Sequence, residues 1–280
     1  MTLRTAILTL IAMLAFAGNS LLCRLALKDG DIDAASFTAI RIVSGAAVLA
    51  LLMRVRGANP LAAGSWRSAV ALFVYAAGFS FAYLGLSAAT GALLLFGAVQ
   101  ATMIGYGLWR GERFNGWQMI GLALACAGLL MLLLPGLVAP SLSHGLLMAS
   151  AGIAWGVYSL RARGSGDPIA ATAGNFMRAA ALAAATGLAF LPWSTSTWCG
   201  MAYALASGAL TSGLGYVIWY RALQDLAATT AASVQLSVPV LATLGGVLLL
   251  SEPVTPPLIY ASAALLGGLG LVIRAGQGGR

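Results

Sequence analysis

The chain alternates between long apolar runs and short polar breaks. Runs of about 18 to 24 apolar residues recur along its length, each able to cross a hydrocarbon core of about 30 Å as a helix. The breaks are clusters of Arg, Gly, Pro and Asp, such as RVRGANP at 54–60 and RARGSGDP at 161–168. They combine turn formers with interfacial charge. The pattern predicts ten spans, at 3–27, 34–54, 66–87, 90–109, 115–134, 143–162, 169–190, 198–221, 228–249 and 256–274. The first run has the charge order of a signal peptide. It lacks a clear small-residue cleavage site and exceeds a signal h-region, so it reads as a retained first span. The links at 88–89, 110–114 and 250–255 leave no room for an extramembrane domain.

Thr90 to Leu134 is a recognisable copy of Thr229 to Ile273. Each has an apolar run of about twenty residues, a glutamate at its end (Glu112, Glu252) and a second apolar run spaced by glycines. Aligning the glutamates also aligns Gly128 with Gly268. The unit recurs only once, which marks a duplication rather than a solenoid. Earlier in each half, FAGNSLLCR (Phe16 to Arg24) aligns with WGVYSLRAR (Trp155 to Arg163), superposing Ser20 on Ser159 and Arg24 on Arg163. Arg41 likewise falls near Arg178. Residues 1–137 and 138–280 are thus expected to be two five-span repeats. Five is odd, so the second must sit upside down. The expected fold is an all-α integral membrane protein of ten transmembrane helices in two inverted five-helix repeats, an arrangement characteristic of transporters.

Composition agrees. The chain is 60% hydrophobic and 8% charged, with a mean hydropathy of +0.93, whereas soluble domains carry about 25% charged residues. A net charge of +8 in a soluble protein would point to nucleic acid. In this chain Arg4, Arg54, Arg56, Arg67, Arg110, Arg113, Arg161, Arg163, Arg221, Arg274 and Arg280 fall at alternating loops and the termini. The opposite loops hold Arg24 and Lys28 with Asp29, Asp31, Asp33 and Glu252. By the positive-inside rule both termini are cytoplasmic, and no nucleic-acid site is expected. Cys23, Cys126 and Cys199 form no pairing or metal-ligand pattern. With one histidine (His144, read as a loop residue), no HExxH, no CxxC and no carboxylate pair in a shared span, neither an enzyme nor a metal or cofactor site is expected.

Polar and aromatic residues inside the spans carry the candidate chemistry. Phe16 and Asn19 lie in span 1; Tyr75, Phe79 and Tyr83, spaced by fours on one helical face, in span 3. Gln100 lies in span 4, Trp155 and Tyr158 in span 6, Tyr216, Trp219 and Tyr220 in span 8, and Gln235 in span 9. An aromatic wall with a few amide handles suits a small amphipathic ligand. The competing reading is interfacial belt aromatics, which fits Trp66, Trp109, Trp117, Trp193 and Trp198, together with helix-to-helix hydrogen bonds. Arg41 and Arg178 each lie about two turns inside a span, where a charge costs roughly 2.5–3.5 kcal/mol. Either could attract a substrate carboxylate, but matching positions in both repeats favour scaffold roles, by snorkelling or bonding helix-end carbonyls. Glu112 and Glu252 read as turn residues at helix ends rather than gating carboxylates, because they are duplicated at opposite faces. No Asp or Glu lies mid-span to relay protons or sodium, so facilitated or weakly coupled transport is expected. Gly152-x-x-x-Gly156, Gly107-x-x-x-Gly111 and the Gly208 to Gly215 cluster allow close packing, mostly within the chain, and a monomer or weak homo-oligomer is expected.

The duplicated unit resembles the EamA domain of the drug/metabolite transporter superfamily. The shared features are an aromatic-Gly stretch in the first span of each half, an Arg in the second, a tyrosine ending the third (Tyr83, Tyr220), the glutamate after the fourth and the glycine-spaced fifth. The resemblance covers 3–274, and the ten-span pattern resembles YddG-type exporters of amino acids from the bacterial inner membrane. It implies a secondary transporter that exports small metabolites, aromatic amino acids among them, by alternating access. Spans 1, 3, 4, 6, 8 and 9 would surround a cavity lined by Asn19, Tyr75, Phe79, Tyr83, Gln100, Trp155, Tyr158, Tyr216, Trp219 and Gln235. Its partners would be a small-molecule substrate and the lipid bilayer. A broader exporter of cationic drugs would use cation–π contacts, but buried carboxylates are scarce. A membrane enzyme acting on lipids would need a polar catalytic cluster that the sequence lacks. In one respect the chain departs from the family, which often has a proline midway through the fourth span of each half. Pro239 is present in span 9, whereas the aligned residue in span 4 is Val99. Proline removes a helical hydrogen bond and kinks its helix, so Pro239 is a candidate gating position and the halves need not move equivalently.

Overall fold

The computed structural model describes residues 2–111, 115–133, 141–162, 167–226 and 234–277. Within them the chain forms ten helical rods: α1 (Leu3–Lys28), α2 (Ala34–Val55), α3 (Trp66–Ala82), α4 (Ala88–Trp109), α5 (Gly116–Leu133), α6 (Leu142–Ala162), α7 (Pro168–Phe190), α8 (Trp198–Leu223), α9 (Ser237–Leu250) and α10 (Pro256–Gln277). Six segments are individually long and apolar enough to cross a membrane, and Trp66–Ala82, Gly116–Met131 and Ser237–Leu250 are apolar but shorter. Glu112, Arg113, Arg163 and the expected start of span 9 lie outside the described residues.

Short polar residues begin these helices because the first N–H groups of a helix have no internal acceptor. Thr2, Asp33, Ser65, Ser87, Asp167 and Thr197 each accept a backbone N–H of the first turn. His144 is not a loop residue. Ser141 provides the polar start of α6, which begins at Leu142, and its hydroxyl bonds the His144 ring in the first turn. The tryptophans assigned to the membrane belt (Trp66, Trp109, Trp117, Trp193 and Trp198) are all exposed.

Helix packing repeats across a two-fold relation. α2 lies on α7 and α5 on α10, each on its own counterpart. The α3–α6 contact is mirrored by α8–α1, α4–α6 by α9–α1, and α3–α7 by α8–α2. The α5–α10 seam follows the same symmetry residue by residue. A Cβ on Gly128 would lie 2.5 Å from the Leu265 nitrogen and 2.8 Å from the Ala261 carbonyl oxygen. A Cβ on Gly268 would lie 2.5 Å from both the Ala125 nitrogen and the Gly121 carbonyl oxygen. Residues 121, 125 and 128 are the repeat equivalents of 261, 265 and 268. Because lipid tails are as apolar as the helices, close backbone approach through small residues supplies much of the association. Gly152 and Gly156 serve α6 in the same way, against Leu95 and Ala98 and against Thr102 of α4.

At the end of the bundle where α1 finishes, the α1–α2 loop is clipped to the α7–α8 loop. Ile32 and Ser196 form an antiparallel bridge, the Asp33 N–H donates to the Thr195 carbonyl (2.9 Å), and the Thr197 N–H donates to the Asp31 carbonyl (2.7 Å). Asp33 also accepts from the N–H groups of Ala35, Ser36 and Thr195. Partial burial pushes the Asp33 carboxyl up, but hydrogen bonds from Ser36, Thr195 and Ala35 outweigh it and hold it below the ordinary value.

Two outcomes are expected. Gly128→Leu should force the α5–α10 backbones apart and cost about 1–3 kcal/mol, read as a lower melting temperature in detergent. Because the folded-state pKa of Asp33 is depressed, its contribution is present above the unfolded carboxylate value of about 3.9. It is lost as pH falls below that. Asp33→Asn should therefore narrow the difference in melting temperature between pH 6 and pH 3.

Candidate functional site

A crevice lies between the two halves, near the middle of α3 and α8. Tyr75 and Phe79 of α3 and Asn19 of α1 bound it from the first half, and Trp155 of α6 and Tyr216 of α8 from the second. These five are among the expected residues. Phe16, Ser20, Leu95, Phe96 and Thr211 complete it. The cavity between these side chains measures only about 20 Å³. A solute with a side chain requires it to widen.

Trp155 is the hub of the wall. Its ring centre lies 4.8 Å from Tyr75, 4.9 Å from Tyr216 and 5.4 Å from Tyr158. Such offset and tilted pairs contribute about 0.5–1.5 kcal/mol each beyond the area they bury. Tyr158, Trp219 and Tyr83 are buried but back the wall rather than bound it. Tyr158 stacks on Trp155 and accepts from Asn175 Nδ2 (3.4 Å), Trp219 packs edge-on against Phe16, and Tyr83 packs edge-on against Phe79. Gln100 is buried on α4 and Gln235 is half-buried before α9; neither bounds the crevice.

The polar handles form a cluster that joins the halves. Asn19 Nδ2 donates to Tyr75 Oη (3.4 Å), and Asn19 Oδ1 accepts from Ser207 Oγ (2.7 Å) and Thr211 Oγ1 (3.3 Å). Ser207, Thr211 and Ser212 all belong to Ser207–Leu214, a stretch of α8 wound as π-helix. Such segments recur at functional sites because they re-aim side chains within an otherwise regular helix. Gly208 lets this stretch touch α2: a Cβ there would collide with the Arg41 carbonyl and the Ser44 hydroxyl.

Arg41 is where the structure departs most from the sequence reading. It neither snorkels nor bonds helix-end carbonyls; it is 2% exposed. Nη2 donates to Tyr75 Oη (2.9 Å) and Nε to Ser212 Oγ (3.2 Å). The guanidinium carbon lies 5.1 Å and 4.9 Å from the ring centres of Tyr75 and Phe79. Arg178 follows the scaffold reading, donating to the carbonyls of Ala63 (2.8 Å), Gly174 (2.9 Å) and Leu61 (3.4 Å). Equal placement in the repeats therefore conceals unequal environments.

Glu252 is the second departure. Ser251 turns into the left-handed region (φ 52°), which swings Glu252 back against the first half. Its Oε1 pairs with Arg24 Nε at 3.1 Å, and its Oε2 accepts the Ala88 N–H at 2.8 Å, capping α4. Arg24 Nη1 also holds the Tyr83 carbonyl (3.0 Å), and Lys28 Nζ holds the Leu250 carbonyl (3.1 Å). The side chains are 17% and 9% exposed, so this is a sheltered tie between the halves rather than a solvated turn charge. Pro239 stands in the first turn of α9, just after a break at Leu236, where Ser237 Oγ takes up the Val234 carbonyl (2.6 Å). The equivalent α4 runs unbroken through Val99.

A bundle of apolar helices, related in two halves that jointly wall a crevice, defines a multi-pass membrane transporter of the inverted-repeat class. Residues 143–274 match the EamA-like transporter family. The chain is 59% identical over 281 residues to "Uncharacterized protein PA1977" of Pseudomonas aeruginosa, covering 99% of this chain and 98% of that one. It is also similar to a solved crystal structure with a TM-score of 0.66 over 98% of this chain and 99% of that chain, at 22% identity, a likeness of fold. The chain belongs to the EamA-like transporter family.

Removing one member of a sheltered pair leaves the other charge uncompensated. Arg24→Gln or Glu252→Gln alone should each destabilise the protein by about 3 kcal/mol. The double variant should cost less than their sum in a thermal-denaturation cycle. Additive effects would mean that the tie carries no coupling.

Proposed function

We propose that the protein is a secondary transporter of the bacterial inner membrane that exports small metabolites, most fittingly amino acids including aromatic ones. Transport would proceed by alternating access between repeats 1–137 and 138–280, with both termini cytoplasmic. The observation that carries this reading is the crevice itself. Aromatic faces from both halves meet at Trp155, beside amide and hydroxyl groups of Asn19, Ser20 and Thr211. Flat apolar walls with a few polar groups suit small amphipathic solutes, and a site shared by the halves is exposed alternately as they rock. The break before Pro239 is the proposed flexing point of the second half. The buried positive charge of Arg41 behind the wall weighs against a carrier of cationic drugs. No Asp or Glu lies mid-span, which supports facilitated or weakly coupled movement by a monomer or weak homo-oligomer.

In liposomes preloaded with unlabelled phenylalanine, the protein should accumulate labelled phenylalanine transiently, and other amino acids should compete. No accumulation by demonstrably folded protein would discard this substrate class. Trp155→Ala removes three ring contacts and should raise the half-saturating concentration about tenfold, corresponding to roughly 1.4 kcal/mol. Unchanged kinetics would remove Trp155 from the wall. A pH gradient should produce no sustained uphill accumulation.

A further inference from the structure

Among the described residues, two buried side-chain polar atoms have no hydrogen-bond partner: Arg41 Nη1 and Ser20 Oγ. Both belong to the surroundings of the crevice. Ser20 bounds it directly, and Arg41 stands behind Tyr75 and Phe79, which form its wall. The chain's seven acidic residues are Asp29, Asp31, Asp33, Glu112, Asp167, Asp225 and Glu252. None lies mid-span, so the sequence offers Arg41 no counter-ion at its depth. Two hydroxyls and two aromatic faces compensate part of its charge, and one face of the guanidinium fork remains open. A buried cation in this condition is costly to the resting protein and strongly attractive to an anion.

We propose that Arg41 anchors the carboxylate of the transported solute, so that the protein carries carboxylate-bearing molecules and discriminates against analogues that have only an amine. The inference rests on the crevice being the transport site. Three features single Arg41 out. Its repeat counterpart Arg178 spends its donors on backbone carbonyls. Its planar fork matches a carboxylate with two parallel hydrogen bonds, through the free Nη1 and through Nη2 now held by Tyr75. It packs directly against Tyr75 and Phe79, which bound the crevice, and the crevice has to widen for any solute. A zwitterion would also find the unpartnered Ser20 hydroxyl oxygen available to its ammonium group.

The test uses three ligands of matched aromatic size: L-phenylalanine, 3-phenylpropionate and 2-phenylethylamine. Each is titrated into the purified full-length protein by thermal stabilisation and used as a competitor in phenylalanine counterflow. Phenylalanine and phenylpropionate should act at concentrations at least about tenfold below phenylethylamine, the discrimination expected of one charge-assisted bond. In Arg41→Gln the preference should shrink to within about twofold, and Arg41→Lys, which keeps the charge but not the fork, should retain part of it. Phenylethylamine acting as well as phenylpropionate would overturn the anchor while leaving the transporter reading intact. So would Arg41→Gln keeping the preference. No response to any of the three by folded protein would instead remove the crevice as a site for small aromatic solutes, and the anchor with it. Should Arg41→Gln fail to fold, the ligand comparison on the unaltered protein and on Arg41→Lys still decides.

Discussion

Inside a bilayer there is no water to satisfy a polar atom, so every buried donor and acceptor must find its partner within the protein. That constraint organises this bundle. Asn19, Arg41 and Tyr75 from the first half and Ser207, Thr211 and Ser212 from the second form one connected polar cluster at the crevice. Separating the halves would strand most of these groups. The polar cluster and the Trp155 aromatic hub thus bind the same interface by different means, one directional and one tolerant of sliding. Glycines bring the backbones near enough for such short side chains to reach across.

Much of the architecture was legible because it depends on local pattern. Apolar run length marked the rods, clusters such as RVRGANP and RARGSGDP marked breaks between them, and the aligned glutamates with glycines 128 and 268 marked the internal copy. Inward aromatics were legible where spacing put them on one helical face, as with Tyr75 and Phe79. Residues whose roles depend on distant partners were not. Glu252 meets partners 228 and 164 positions away in the chain, and nothing near it in sequence distinguishes it from a turn residue. Arg41 and Arg178 occupy matching positions, and only what packs against them separates the two: the π-wound part of α8 against Arg41, and the loop carbonyls of Leu61 and Ala63 against Arg178. Ser20 was visible as a repeat-matched serine, but its lack of a partner belongs to the folded structure.

The two halves therefore share contacts without sharing detail. α4 is continuous where the chain breaks at Leu236, just before α9, and α3 is regular where its counterpart α8 is π-wound. One half buries an arginine against the crevice wall, while its mirror residue bonds loop and helix carbonyls. The shared helix contacts supply the frame, and the differences are local to each half.

The π-wound stretch also affects the phase of α8. Each residue of an α-helix advances by about 100° around the axis, so a wider turn in mid-helix offsets everything beyond it. Before the stretch, α8 turns Trp198 and Leu205 outward, 85% and 50% exposed; after it, Tyr216 and Trp219 face inward, 3% and 6% exposed. The helix behaves as two cylinders whose relative azimuth is set by the winding of eight residues, Ser207–Leu214. Chain length through that stretch, as much as side-chain identity, determines which face α8 presents to the crevice.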